Sequence, residues 1–214
     1  MRIKYVIGAL STAAIVTSTS LGDIQSLELP FQGDIIEGFE QYALGDYLSL
    51  DVFDGNGFVT AIGQEAPVAP EVEIHFGVTI HGIHVQAHSG VRMLGTTFSD
   101  DFSPGIRWNL TQPALRFGGF FATNNLVPDA TAFFYDEDNN FLGQQPLFIP
   151  NDGKWVWQGW ETTGVGIARI DVFGNGQFGP GFIFYDDMDY IAIPGPASAV
   201  LLGAISLIAR RRRR

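Results

Sequence analysis

The sequence predicts an all-β protein, a single jelly-roll-like β-sandwich with an apolar helix at each end. The chain is rich in aromatic residues, with 18 Phe among 214 residues. Its apolar runs are short and separated by clusters of Gly, Pro, Asn and Asp, which is the pattern of strands joined by turns. Between the two ends, no long stretch has the 3.6-residue period of an amphipathic helix. These roughly 170 residues suffice for one domain with its own core.

Charge is distributed unevenly along the chain. All 23 acidic residues lie between Asp23 and Asp189, where only five basic residues occur, so this body has a formal charge of −18. Such a surface excludes nucleic acid as a partner, because binding phosphates requires Lys and Arg. It fits a soluble exported domain and offers oxygen ligands to Ca²⁺. The absence of Cys excludes disulfides, thiolate metal sites and cysteine catalysis.

Residues 1–22 are predicted to be a signal peptide. Two basic residues precede an apolar run, Tyr5–Val16, that is shorter than the roughly 20 residues of a membrane span. Small residues follow, and we expect cleavage after Gly22, with Ser20 as the alternative position. This segment predicts that residues 23–190, the β-sandwich domain, are exported through the translocon.

The first half of the body is predicted to contain several short strands, followed by a histidine-rich one. His75, His81 and His84 fall within the β-branched segment Val72–Gln86, and His88 lies just beyond it. Residues alternate in direction along a strand, so these side chains divide between two faces and are not expected to form a metal site. The predicted strands before this segment cover residues 35–40, 47–53 and 58–62.

The second half contains the clearest hairpin, in which the turn Asp136–Asn140 joins strands over residues 130–135 and 141–147. The turn resembles half of a calcium loop but lacks the following Gly and the distal Glu, so an ordinary turn is predicted. The other predicted strands cover residues 106–110 and 115–121, separated by Gln112-Pro113, then 154–160, 167–173 and 182–185.

Trp155 and Trp157 point the same way on their predicted strand. An exposed pair of indoles would stack on sugar rings, and this makes the two residues candidates for ligand binding. A buried pair would instead fill the core, which is the interpretation favoured by the need of a sandwich for large inward-facing residues.

The chain ends, over residues 191–214, in a proline-containing breaker, an apolar run of thirteen residues and five arginines. As a helix the run Ala197–Ala209 measures ~20 Å, less than the ~30 Å hydrocarbon core of a membrane. The segment resembles the PEP-CTERM sorting signal of bacterial proteins, with Gly in place of that family's Glu. The residues that carry the resemblance are Pro194, Gly195, Pro196, Arg210, Arg211, Arg212, Arg213 and Arg214.

That resemblance implies a partner and a location. An exosortase-type enzyme would process the tail, whose helix is inserted at least transiently in the cytoplasmic membrane with the arginines inside. The protein would then reside at the cell surface or in the extracellular matrix.

The body also resembles the β-sandwich found in many such exported proteins, through the segments Arg116–Phe121, Phe134–Asp136 and Phe184–Met188. Related carbohydrate-binding jelly rolls hold a structural Ca²⁺ between a Glu of the first strand and carboxylates of the last. The resemblance therefore implies a calcium site whose ligands are Glu40, Asp187 and Asp186.

The leading functional hypothesis is a non-catalytic surface or matrix protein that binds glycan, an extracellular polymer or further copies of itself. The alternatives are a secreted, glycosidase-like hydrolase that uses paired carboxylates, and a purely structural spacer. The sequence contains no Gly-x-Ser-x-Gly, His-Glu-x-x-His, P-loop or dinucleotide-binding motif. We therefore predict that the protein is not an enzyme.

Overall fold

The structure is a computed structural model that describes residues 23–63, 71–80, 82–96, 105–124, 129–174 and 182–194. Within these ranges the chain forms fifteen strands and one 3₁₀ turn, Phe53–Gly55, so the predicted all-β class is confirmed. The strands are β1 (Ile24–Leu27), β2 (Ile35–Glu37), β3 (Gly45–Tyr47), β4 (Leu50–Val52), β5 (Gly57–Ile62), β6 (Val72–His75), β7 (Gly77–Ile80), β8 (Ile83–Gln86), β9 (Met93–Thr96), β10 (Gly105–Ala122), β11 (Asp129–Tyr135), β12 (Phe141–Phe148), β13 (Val156–Thr162), β14 (Ile167–Gly174) and β15 (Phe184–Ala192).

The long strand β10 belongs to both layers of the sandwich. Its first half pairs with β5 and β14, and its second half pairs with β13 and β15, all antiparallel. The first sheet therefore runs β12-β11-β14-β10-β5-β4. The second sheet runs β1-β13-β10-β15-β9-β6-β3, with β2 also paired to β15. The hairpin β7–β8 forms a separate two-stranded sheet.

The change of sheet occurs near Pro113, where the pairing of β10 with β14 shifts register between Asn109 and Ala114. Two strands separated by Gln112-Pro113 were expected, and this expectation is wrong because β10 is continuous. Proline has no N–H to donate to a ladder, so it is tolerated at a point where the strand exchanges one set of partners for another.

The core lies between the inward faces of the two sheets. Trp108 of the first sheet is fully buried and contacts Phe117 and Tyr185 of the second, with ring centroids 5.5 and 5.6 Å apart. Phe134 of β11 similarly packs on Trp160 of β13 at 5.2 Å. These aromatic pairs across the layers explain why a chain without disulfides holds a two-sheet fold.

Several predicted element boundaries require correction. The segment 47–53, predicted as one strand, is divided between β3 and β4. Leu48 lies in the break and is 64% exposed, whereas Leu50 is buried. The first strand, β1, was not predicted because its register with β13 leaves only Ile24 buried. Ile191 and Ala192, assigned to the tail, belong to β15 and pair with β10. The sandwich therefore extends past residue 190.

The predicted hairpin is confirmed as β11 and β12. The Asp136 carboxylate accepts the backbone N–H groups of Asp138 and Asn140 at 3.0 and 2.7 Å, as expected for an ordinary turn. The predicted signal peptide, residues 1–22, and the apolar run 197–209 lie outside the described residues. In the described ranges, no helix has the length and hydropathy needed to cross a membrane.

Candidate functional site

A loop between β8 and β9, His88–Arg92, brings the predicted carboxylates together from two directions. Asp186 is fully buried in β15, and its Oδ2 accepts the backbone N–H groups of His88 and Ser89 at 2.8 and 3.1 Å. Asp187 accepts a hydrogen bond from Ser89 Oγ and contacts His88 Nδ1, both at 2.7 Å. Two consecutive acids of the last strand therefore hold one end of this loop.

Glu40 holds the other end of the loop. Its Oε1 accepts the backbone N–H groups of Val91 and Arg92 at 2.7 and 2.8 Å. The Arg92 guanidinium donates to the carbonyl oxygens of Glu40 and Tyr42. Across the described ranges, no Lys or Arg side chain forms an ion pair with Glu40, Asp186 or Asp187.

A β-bulge allows both Asp186 and Asp187 to reach the loop. Gly118 of β10 pairs with Asp189 and Phe120 pairs with Asp186, so β15 carries one residue more than its partner between these positions. Asp187 has a φ of 44°, in the left-handed region that only the surrounding structure makes acceptable to a non-glycine residue. Bulges of this kind redirect side chains next to functional sites.

The acidic cluster is unfavourable when all of its members are ionised. Burial raises the pKa of Asp186 to about 6, and the charge of Asp187 adds to this effect, whereas the backbone hydrogen bonds oppose it. Burial likewise raises the pKa of Asp189 to about 6. The Oδ1 of Asp189 has no hydrogen-bond partner in the described structure. A bound cation would favour the ionised carboxylates, because its charge offsets both the cost of burying them and their mutual repulsion.

The predicted calcium ligands therefore surround one loop. Among the described residues, no three His, Asp or Glu side chains are already arranged to hold a metal ion. Ca²⁺ needs six to eight oxygen ligands, so backbone carbonyls and water would have to join the carboxylates. The donors fit this cation in chemical type, because they are carboxylate oxygens that form no ion pair with a Lys or Arg side chain in the described ranges, although Asp187 contacts His88.

His88 connects the acidic cluster to an aromatic surface. Its ring stacks on Phe120, with centroids 3.6 Å apart and an interplanar angle of 16°. The edge of Trp155 approaches His88 at 6.0 Å, and Trp155 Nε1 donates to the carbonyl oxygen of Gln86 at 2.8 Å. The same loop that the carboxylates anchor therefore orients two aromatic rings on the outward face of the second sheet.

Trp157 lies on the same face, over Gly159. A Cβ atom added to Gly159 would lie 2.4 Å from Cη2 of Trp157, so the indole rests directly on the glycine backbone. Phe31 covers the neighbouring Gly118 in a similar way and meets Trp157 edge-on, with centroids 6.1 Å apart. Glycines at these two positions make room for rings to lie against the sheet.

Four side chains form this surface, which we call the aromatic platform: Phe31, Phe120, Trp155 and Trp157. Each is half-buried. Trp157 therefore does not fill the core between the sheets, which Trp108 and Trp160 occupy, whereas Trp155 packs against a smaller buried cluster of Val85, Met93, Ala122 and Phe184.

The platform adjoins a surface with excess negative charge. Asp187 and Asp189 border it on β15, and Glu161 of β13 pairs with Arg116 of β10 at 3.0 Å. Repulsion on this face disfavours polyanions and leaves uncharged ligands as the partners that fit.

Three of the four histidines lie within the described residues, and each contacts a different part of the structure. His75 is buried against Phe184, and burial lowers its pKa to about 4. His84 contacts Thr79 Oγ1 within the β7–β8 hairpin, whereas His88 contacts Asp187 of β15. His81 lies outside the described residues. Of the sorting residues, the described structure includes only Pro194, which is exposed.

Two groups of functional residues were missed from the sequence. Phe120 and Phe31 complete the platform, and alternation from the buried Phe121 was the available signal for Phe120. Glu37 was also missed. It is 1% exposed, and its carboxylate accepts the backbone N–H groups of Phe39 and Phe53, which positions the segment leading to Glu40.

Comparison with known proteins gives limited information. No protein-family model matches the chain. Two curated proteins, thiamine pyrophosphokinases 1 and 2 of Arabidopsis thaliana, are 35% identical over 54 residues and 32% identical over 66 residues. These segments cover 23% and 31% of this chain. The chain spans only 20% and 23% of the length of these curated relatives.

Among solved structures, the chain is similar to the CBM22-1 xylan-binding domain from Paenibacillus barcinonensis Xyn10C, with a TM-score of 0.45 and 15% identity over 78% of this chain and 100% of that one. A DUF4465 family protein from Bacteroides caccae has a TM-score of 0.49 and 10% identity, over 74% of this chain and 99% of that one. TmCBM61 in complex with β-1,4-galactotriose has a TM-score of 0.38 and 16% identity, over 64% of this chain and 88% of that one. The assignment of function rests on the side chains described above.

Proposed function

We propose that this protein is an exported, non-catalytic β-sandwich that binds a neutral polysaccharide on the aromatic platform. The observation that supports this proposal is the placement of Trp157, whose indole lies against Gly159 on an outward sheet face. Sugar rings carry apolar C–H faces that pack on exposed aromatic rings, and the acids bordering the platform offer acceptors for sugar hydroxyls.

The loop His88–Arg92 would position the ligand-binding rings, and calcium would strengthen it. Glu40, Asp186 and Asp187 are the residues that would hold Ca²⁺, together with backbone carbonyls and water. The ion would supply the positive charge that the acidic cluster lacks. In this arrangement calcium is structural, so its removal would loosen the loop under His88 and thereby weaken glycan binding.

The tail would direct the protein to the cell surface or the extracellular matrix. Its resemblance to a PEP-CTERM signal supports insertion in the cytoplasmic membrane, followed by action of an exosortase-type enzyme near Pro196. Export through the translocon, directed by residues 1–22, would precede this step.

The binding proposal is tested on an array of neutral polysaccharides, followed by isothermal titration calorimetry with the best ligand. We expect Trp157→Ala to weaken binding at least about tenfold, because a stacked ring and its buried area are lost. Gly159→Ala should also weaken it, since the added methyl would lift the indole. The matched control is Phe141→Ala, which removes a 48% exposed ring from the opposite sheet and should leave affinity unchanged.

Two outcomes would reject the proposal. One is an array on which the folded wild-type protein binds no neutral glycan, which would favour a spacer. The other is turnover of a polysaccharide that a single carboxylate substitution abolishes, which would show a hydrolase. Melting temperatures of each variant establish that folding is intact.

A further inference from the structure

The outward face of the first sheet presents charged and aromatic side chains in register. Strand pairing places Arg107 of β10 beside Asp171 of β14, and Asp171 beside Phe133 of β11. In the next row, Arg169 of β14 lies beside Tyr135 of β11. These residues alternate along their strands with buried core residues, so they project away from the platform on the other sheet.

Two arginines on this face share one carboxylate. Arg107 holds Asp171 through two hydrogen bonds, Nε to Oδ1 at 2.7 Å and Nη2 to Oδ2 at 2.8 Å. Arg169 Nε lies 3.5 Å from the same Oδ1, at ion-pair distance without a hydrogen bond, and its Nη1 donates to Asn139 Oδ1 at 2.5 Å. The group of three has a net charge of +1, in a body whose formal charge is −18. The side chain of Arg107 is 34% exposed, that of Arg169 is 17% exposed and that of Asp171 is 5% exposed. The guanidinium of Arg107 therefore remains accessible.

Aromatic rings surround these arginines. The guanidinium carbon of Arg169 lies 3.7 Å from the centroid of the Tyr135 ring. Phe133 and Phe173 meet edge-on at 6.0 Å, and Phe173 rests on Gly105, where an added Cβ would lie 2.6 Å from its ring. Flat rings beside a planar guanidinium fork form a surface that accepts a sugar ring and a carboxylate side by side.

The other acidic side chains that the structure describes near this face lie at the edges of the sheet, so the centre of the face can attract an anion. Asp136 is engaged in the β11–β12 turn, and Glu137 and Asp138 are exposed in that same turn at the edge of the sheet. Asp51 lies on β4, the strand at the opposite edge. Among the described residues of this face, a polyanion would therefore meet positive charge where Arg107 and Arg169 lie.

From this arrangement we infer that the outward face of the first sheet is a second ligand-binding surface, specific for a polysaccharide that contains uronic acid. The uronate carboxylate pairs with the donors of Arg107 that Asp171 leaves free, Arg169 adds a second positive charge beside it, and the sugar rings pack on Phe133 and Phe173. The site is separate from the aromatic platform and differs from it in charge. The protein would then link a neutral polymer to an acidic one.

The experiment compares polygalacturonate with its methyl-esterified form by affinity electrophoresis and calorimetry, in calcium-free buffer so that calcium bridges do not contribute. We expect the wild type to bind the acidic form at least about tenfold more tightly, and salt to weaken that binding. Arg169→Gln should reduce the affinity at least about tenfold. Arg107→Lys, which keeps the charge beside Asp171 but loses the fork, should reduce it less.

The matched control is Arg116→Gln, which removes an arginine that is also paired with one acid but lies on the other sheet. It should leave uronate binding unchanged, as should Trp157→Ala, whereas Arg169→Gln should leave neutral glycan binding unchanged. Equal affinity for the esterified and acidic forms would overturn the inference. So would sedimentation velocity showing self-association that Arg169→Gln abolishes without any polysaccharide binding, since the face would then bind a second copy of the chain.

Discussion

The substitution Glu37→Gln replaces one oxygen of a buried carboxylate that accepts four hydrogen bonds. Its Oε1 accepts the Phe39 N–H and the Gln41 side-chain amide at 2.9 and 2.8 Å. Its Oε2 accepts the Tyr42 hydroxyl and the Phe53 N–H at 2.7 and 2.8 Å. In the glutamine variant, one of these two pairs of donors would face an NH₂ group, which cannot accept a hydrogen bond.

The magnitude follows from which donors can adapt. The Gln41 amide and the Tyr42 hydroxyl can rotate to accept from the new NH₂ group, but a backbone N–H cannot. One buried N–H is therefore left without a partner, at a cost of about 1–3 kcal/mol, and the remaining bonds lose their charge assistance. Phe39 and Phe53 have positive φ angles of 61° and 57°, so the lost bond also held a strained residue in place. We expect a loss of about 2–4 kcal/mol.

Urea unfolding measured by tryptophan fluorescence tests this value. With an m-value of about 2 kcal/mol/M, the midpoint should fall by about 1–2 M while m stays unchanged. Glu161→Gln is the matched control, because it makes the same chemical change in a partly exposed pair with Arg116 and should cost less than about 1 kcal/mol. Equal losses in the two variants would refute the reasoning that the buried hydrogen bonds of Glu37 carry the effect.

Two further predictions concern the acidic cluster and the tail. Burial raises the pKa of Asp186 to about 6. Without calcium, this group therefore lowers the free energy of unfolding by about 3 kcal/mol as pH rises from about 4 to about 6. In the same window His75, whose pKa is lowered to about 4, has the opposite effect on stability. Chemical denaturation in EDTA should show this fall for the wild type relative to Asp186→Asn, and excess calcium should remove it by binding the ionised carboxylate; a wild-type profile that calcium leaves unchanged would argue against the ion. Mass spectrometry of the protein from its native host should show the loss of residues 1–22 and of residues after about Pro196, and an intact tail would contradict the sorting proposal.

The features that the sequence predicts correctly are local ones. The β11–β12 hairpin is encoded within one short segment, because Asp136 satisfies the backbone of its own turn while the flanking residues alternate. The all-β class follows from many such segments. The predicted carboxylates Glu40, Asp186 and Asp187 do contact a common loop, although their pairing with backbone N–H groups of His88–Arg92 required the fold.

The features that the sequence misses depend on contacts between distant residues. Nothing near Pro113 indicates that β10 continues and exchanges partners, because the replacement partners come from β13 and β15. Trp155 and Trp157 were assigned to the core from their size, but the inward positions between the sheets are taken by Trp108 and Trp160, and only Trp155 packs on a second, smaller buried cluster. Strand alternation alone does not reveal which of two faces is buried when both contain aromatic residues.

The charge of the body illustrates the same limit and connects the two proposed surfaces. A formal charge of −18 indicates a uniformly acidic domain, yet on the outward face of the first sheet two arginines share a single carboxylate. The second sheet holds acids around the loop. The first sheet holds Arg107 and Arg169 around one carboxylate, although Arg107 and Asp171 are 64 positions apart in the sequence. In a mainly acidic body, this basic-aromatic face is the one that we expect to attract a polyanion. Electrostatic repulsion from the rest of the body would orient an acidic polymer toward this face. An acidic polymer and a neutral one would therefore approach opposite sides of the sandwich.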